Sequence, residues 1–285
     1  MKLIAIITIL LAGILDASAQ RVGIAYWNVD RLYDTIQSPF YHDDDFTPEG
    51  AYGWTAERYR RKVEAVAAVV DSMAMPVTVL YGVENETVVR DIAEACRHDY
   101  SYLHRTLNSL NGLDFAVLYY GDAVIPERVG TYRRNVALHC RIAGRRTVLL
   151  LSRDEDDAVR LAAEIREEEP DAAVIAIGRL NFAKMKRAGV ADTFAAEERA
   201  GRGESVHNGV WRFGERICAD TMLRTSAGVY ARPELFDARR RAPLPTFVGR
   251  RYTGGTGRYL PMFVTVEWPE SSSGESLLRY EKLEK

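Results

Sequence analysis

The sequence predicts a layered α/β domain. Three observations lead there. Short β-branched apolar runs recur along the chain, and amphipathic stretches of helical period separate them. No Pro/Gly/Ser-rich linker, repeat or low-complexity tract divides the 285 residues. That length suits one large α/β domain as well as two small ones, and the missing linker favours one.

The elements follow in order. Val22 to Trp27 reads as a first strand. Thr55 to Ala74 reads as a helix, because Tyr59, Val63, Val66, Val70 and Met73 recur every three or four positions. Val77 to Tyr81 is the next β-branched run. Glu86 to Arg97 is a second helix, with Glu84-Asn85 as its start and Asn85 as N-cap. Phe115 to Tyr120 and Thr147 to Leu151 are buried-strand candidates. Asp154 to Glu168 is amphipathic: Ala158, Leu161, Ala162 and Ile165 share one face, and acidic residues crowd the first turn, where the helix dipole favours them. Val174 to Ile177 and Met262 to Val266 complete the strands.

The first residues have the form of a secretory signal. Lys2 supplies a positive start, Leu3 to Leu15 is an apolar run, and Ala17-Ser18-Ala19 before Gln20 is a small-residue cleavage site. The run is shorter than the roughly 20 apolar residues a bilayer needs. No Cys follows it, which argues against a lipid anchor. The expected organisation is a signal peptide over residues 1–19, a domain over 20–268 and a polar tail over 269–285. The mature chain is then exported, periplasmic or secreted, with no membrane span.

A formal net charge of −2 excludes a generally basic nucleic-acid binder. Arg239-Arg240-Arg241 and Arg250-Arg251 read as solvated loop charge. Cys96, Cys140 and Cys218 have no metal-ligand spacing. An exported protein has the option of one disulfide among them, but with 47% hydrophobic residues the core suffices, and buried thiols are the default.

Three segments carry a family resemblance: Tyr26-Trp27-Asn28-Val29-Asp30, Ala173 to Phe182 (AVIAIGRLNF), and Tyr252 to Pro261 (YTGGTGRYLP). In this order they resemble W-N-V-E-N-L-F-D, G-D-F-N-D and G-G-Y-S-D-H-x-P of the endonuclease/exonuclease/phosphatase superfamily. Asp43 to Gly50 (DDDFTPEG) is similar to an acidic loop of a bacterial branch, D-D-E-F-T-P-E-G. Gly112 to Tyr119 (GLDFAVLY) resembles R-G-I-D-V-A-L-L-Y. The resemblance spans about Val22 to Val266. It implies a deoxyribonuclease I-like four-layered α/β sandwich, two packed sheets flanked by helices.

The family's phosphoester hydrolysis requires a divalent cation held by carboxylates, and a His–Asp pair that activates water. Most of those residues are substituted here. Asn28 matches the first-strand Asn. The metal-binding Glu of L-x-E-V-E-N falls on Gly82 of Leu80-Tyr81-Gly82-Val83-Glu84-Asn85, and Glu84 takes the position of the non-ligand Glu. The Arg of R-G-I-D falls on Asn111, whereas Asp114 is kept. N-H-W-P-S-R is answered only by Leu151-Ser152-Arg153-Asp154, without a His. In G-D-F-N-D the first Asp becomes Arg179, Asn181 is kept, and the last Asp becomes Phe182. Asp220 matches the Asp of a late L-D-Q strand, and S-D-H becomes Gly257-Arg258-Tyr259.

The substitutions change the formal site charge by roughly +5, and one Arg about 4 Å from a divalent cation costs about 8 kcal/mol at an effective dielectric near 20. Tyrosine, with a pKa near 10, is a poor base at neutral pH. Metal-dependent hydrolysis in the family's manner is therefore expected to fail. No cofactor is expected.

Arg179 and Arg258 are the ligand-binding candidates, since guanidinium pairs bidentately with phosphate or carboxylate. The competing expectation is that each pairs with a surviving carboxylate such as Asp114 or Asp220. His104 and His139 read as structural, His42 with Asp43 to Asp45 as a solvated turn, and His207 carries no signal. Two functional expectations result. One is a catalytically inactive pseudoenzyme that binds an unknown protein or an anionic ligand. The alternative is a divergent phosphoesterase or nuclease acting on nucleic acid, with Asn28, Asp114, Asn181 and Asp220 organising Mg²⁺ or Mn²⁺.

Overall fold

A computed structural model describes residues 21–107, 109–237, 239 and 241–269. The expected signal peptide and all but the first residue of the expected tail lie outside them. Among the described residues no helix is long and apolar enough to cross a membrane.

The chain runs β1 (Arg21–Leu32), α1 (Ala56–Met73), β2 (Val77–Val83), α2 (Glu86–Ala95), β3 (Ser101–Arg105), β4 (Asp114–Tyr119), β5 (Val124–Tyr132), β6 (Asn135–Ile142), β7 (Arg145–Ser152), α3 (Glu155–Glu168) and β8 (Ala173–Gly178). It continues with α4 (Phe182–Met185), β9 (Val190–Asp192), α5 (Ala195–Arg199), β10 (Ser205–His207), β11 (Val210–Arg212), β12 (Arg216–Asp220) and β13 (Arg224–Val229). Two-residue ladders β14 (Phe236–Asp237) with β15 (Ala242–Pro243), and β16 (Phe247–Val248) with β17 (Arg251–Tyr252), precede β18 (Met262–Glu267).

Two six-stranded sheets result, ordered β13-β18-β1-β2-β4-β3 and β5-β6-β7-β8-β12-β9. Among the described residues only β1–β2 and β7–β8 pair in parallel, each across a helix-bearing crossover. The layering follows from strand alternation. In β7, Val148 and Leu150 pack with Ala158, Leu161, Ala162 and Ile165 of α3, whereas Leu149 and Leu151 join the core between the sheets. The helix α1 packs against α2 and β1 on the first sheet's outer side. This is the expected four-layered α/β sandwich.

The predicted helices appear within two residues of their expected ends. Thr55, Asn85 and Asp154 cap them by accepting from the amides of Arg58, Val88 and Asp157. Cys96, Cys140 and Cys218 are free thiols, two of them buried. Burial pushes the Cys96 and Cys140 thiols up to about 12, so they stay protonated and unreactive at neutral pH.

Candidate functional site

The site is built where β1, β2, β7 and β12 end on one side of the sandwich. Asn28 on β1 pairs in register with Tyr81 on β2, and the next pair is Leu32 with Val83. Val29, Asp30 and Arg31 therefore bulge out opposite a single residue, Gly82. On its other side Gly82 is also skipped, since Tyr81 pairs with Phe115 and Val83 with Asp114. Asp30 adopts a left-handed φ of 57° and Gly82 a φ of 90°. A Cβ on Gly82 would lie 2.5 Å from the Asp30 carbonyl oxygen and 3.3 Å from Asn28 Oδ1. The space a ligand-bearing side chain would enter at position 82 is filled by the Asp30 backbone.

The final loop packs on the same bulge. Tyr259 accepts a hydrogen bond at its carbonyl from Trp27 Nε1 at 3.0 Å. Arg258 Nε sits 3.6 Å from Asp30 Oδ2. Burial, with the negative charge of Glu215 and Asp30, pushes the Tyr259 hydroxyl further above the usual tyrosine value. The hydroxyl is thus an even poorer base than its residue type suggests.

At the centre lies Glu215, just before β12. Its carboxylate accepts from Tyr26 Oη at 2.9 Å and from Asn28 Nδ2 at 3.0 and 3.2 Å, and it pairs with the Arg153 guanidinium. Asn28 Oδ1 in turn accepts from the Asp30 amide at 3.0 Å. Arg153, immediately after β7, stacks 3.9 Å over the Tyr81 ring. Glu215 and Arg153 are both largely buried. Here a buried carboxylate is matched by a cation, two further donors and an aromatic face, the conditions under which a charge is tolerated away from water.

The other expected site residues are placed differently. Asp114 is buried beside Val83, accepts from the Leu107 amide at 2.6 Å and lies 3.1 Å from His104 Nε2. Asn181 caps α4 through the Lys184 amide at 3.1 Å. Asp220 lies at the far end of β12, about 13 Å along the strand from Arg216, and pairs with Arg166 of α3. Arg179 extends to Glu155 Oε1 at 3.1 Å.

The structure therefore gathers Asn28, Gly82, Arg258 and Tyr259 around the bulge. It gives Asp114, Asn181 and Asp220 tasks in holding loops, a helix start and a strand end. The anticipated pairing of the arginines with Asp114 or Asp220 is corrected to Glu155 and Asp30. A further correction concerns Asp43, expected in a solvated turn: it is buried and accepts from the Ser38 amide at 2.9 Å. Beside it Glu84, expected only to begin a helix, is buried and accepts from the Asp34 amide at 2.7 Å.

Sequence reasoning passed over Glu215 and met Arg153 only as part of Leu151-Ser152-Arg153-Asp154, without a role. Their signal was the vacancy of the His-bearing segment: a cation placed there requires a buried anion, and Glu215 opens the strand beside β8.

The donor set does not fit a hard divalent cation. Such an ion takes six or more oxygen ligands, several of them carboxylate. Of the carboxylates there, Glu215 is saturated by Arg153, Asn28 and Tyr26, and Asp30 faces Arg258. Among the described residues no three His, Cys, Asp or Glu side chains converge to hold a metal.

The sequence profile of the Endonuclease/Exonuclease/phosphatase family matches residues 23–160. Solved structures of similar fold include an endonuclease/exonuclease/phosphatase family protein from Bacteroides thetaiotaomicron, 13% identical, with 89% of this chain and 98% of that one covered at a TM-score of 0.58. A mannosyl-6-phosphatase from the same organism is 12% identical, with 87% and 100% covered at 0.56. A humanized D. rerio TDP2 is 13% identical, with 87% and 99% covered at 0.55. At these identities the likeness shows the fold. No curated protein matches the chain.

Proposed function

We propose that this protein, whose residues 23–160 match the Endonuclease/Exonuclease/phosphatase family, is an exported, catalytically inactive binding or scaffold protein of that superfamily. One observation carries the reading. The position of the family's metal-binding Glu is Gly82, and the Asp30 carbonyl occupies the space its side chain would need. The rest of the centre supports it. Arg153 and Glu215 form a closed ion pair where an active member would hold a cation, and no histidine stands at the position of Tyr259. Export is supported by the sequence of residues 1–19, with its positive start, apolar run and Ala17-Ser18-Ala19 cleavage site.

The fold neighbours include a mannosyl-6-phosphatase, and hydrolysis is the activity against which this reading is tested. Purified mature chain is incubated with a generic phosphodiester, a sugar phosphate and plasmid DNA, each with Mg²⁺, Mn²⁺ or Ca²⁺. The reading expects no product above the metal-only blank. Metal-dependent turnover that chelation abolishes would overturn it.

A further inference from the structure

Beside the closed centre lies an open cavity of about 260 Å³, lined by Glu155, Asn181, Phe182, Phe213, Gly214 and Arg216. Its base is Arg216, whose side chain is 3% exposed. The guanidinium pairs with Asp192 at 3.4 Å and Glu198 at 2.9 Å, and lies 4.7 Å from the Phe182 ring centre and 5.2 Å from that of Phe213. Arg216 Nε is buried without a hydrogen-bond partner. Phe182 is nonetheless 44% exposed, so its ring is held from beneath and left open outward.

The charge of this cavity decides what it accepts. Arg216 and Arg179 face three carboxylates, Asp192, Glu198 and Glu155, for a formal balance of −1. Phosphate is disfavoured by that balance: Arg216, the one cation lining the cavity, is 3% exposed, is already paired with Asp192 and Glu198, and has its unpartnered Nε buried out of a ligand's reach. What remains open to a ligand is the half-exposed Glu155 carboxylate as acceptor, the Asn181 amide NH₂ as donor, and the outward face of Phe182. Drug-sized pockets run to about 300–1,000 Å³, so this one suits something smaller.

From this geometry we infer that the cavity is a binding site for a neutral hexopyranose. The C–H face of the ring stacks on Phe182, two hydroxyls donate to Glu155, and one accepts from Asn181. A pyranose matches an acceptor-rich site with one apolar wall, whereas an anion or a flat apolar ligand leaves one half of it unsatisfied. The inference rests on the binding-protein reading and gives it a ligand class.

The test is saturation-transfer NMR on the mature chain with glucose, mannose, galactose and N-acetylglucosamine, and with inorganic phosphate as competitor. Millimolar, saturable binding of at least one sugar is expected. Phe182→Ala, a substitution at an exposed position, is expected to weaken it at least tenfold, and Glu155→Gln to weaken it with the fold intact by circular dichroism. Absence of binding by all four sugars, equal binding by Phe182→Ala, or displacement by phosphate would overturn the inference. Hydrolysis assays on the same samples separate the outcomes: turnover strikes the non-catalytic reading, and silent sugars strike only this one.

Discussion

Arg153, at the end of one sheet, forms a buried ion pair with Glu215, and Glu215 is held by Tyr26 and Asn28 of the other sheet. Glu215 thus ties the two sheets together beside the β1 bulge. Removing one partner leaves the other buried and uncompensated, at a cost of about 3–5 kcal/mol. Glu215→Gln is therefore expected to lower the unfolding free energy by that order in urea titrations. Arg153→Met combined with Glu215→Gln is expected to cost less than Glu215→Gln alone, because no orphaned cation remains.

Gly82 is required by its surroundings. Its positive φ and the 2.5 Å approach of a Cβ to the Asp30 carbonyl both exclude a larger residue unless the β1 bulge moves. Gly82→Ala is expected to destabilise by about 1–3 kcal/mol, measured as a shift of the urea midpoint at constant slope. By the same reasoning, restoring the family's residues through Gly82→Glu, Arg179→Asp, Arg258→Asp and Tyr259→His is expected to yield no metal-dependent hydrolysis. Turnover by that variant would show the bulge to be displaceable.

Stability should fall as pH rises from about 5 to 8. Burial, then the charges of Asp34 and Asp43, push the Glu84 carboxyl from 4.5 up to about 8, and burial pushes Glu204 up to about 7. For each acid the folded state binds the proton more tightly than the unfolded state. The contribution is fully present below about 4.5 and is lost as pH climbs through the raised value, at up to about 1.4 kcal/mol per pH unit and group. Lys62, held by burial down to about 8, acts with opposite sign only above that pH. Glu84→Gln is expected to remove the slope between pH 7 and 8, where Glu204 has ceased to contribute. Equilibrium unfolding at half-unit intervals measures this, and an unchanged slope in the variant contradicts it.

Asp114 distinguishes a loop anchor from a site residue. It holds the Leu107 amide and faces His104, so Asp114→Ala leaves a buried donor unsatisfied and is expected to cost about 1–3 kcal/mol. Hydrogen exchange should locate the loss in the β3–β4 connection. Unchanged exchange there would contradict the anchoring role.

Much of the fold was legible because buried parallel strands are continuous apolar runs and the helices carry both period and cap. β2, β7 and β8 announce themselves by Val, Ile and Leu; Asn85 and Asp154 mark helix starts. The missed strands have a physical reason. β5 is mostly exposed, and β6 carries His139 and Arg141 among its apolar residues, so neither reads as a buried run. Of the residues singled out in the sequence, Asn28, Gly82, Arg258 and Tyr259 come together around the β1 bulge. The site was illegible at Glu215 and Arg153, which meet across 62 residues from the end of β7 to the start of β12 in one sheet. Asp220 misled because a matching residue type at a strand's wrong end looks the same in one dimension.

The claim that the metal position is closed is tested most directly by Mn²⁺ titration of EDTA-treated protein spanning residues 20–285, followed by isothermal calorimetry and water-proton relaxation. The account predicts no saturable site below millimolar Mn²⁺, and no change when Glu215→Gln opens the ion pair. One equivalent bound at micromolar Mn²⁺, lost in Asn28→Ala or Glu215→Gln, would contradict it and restore a metal centre to this chain.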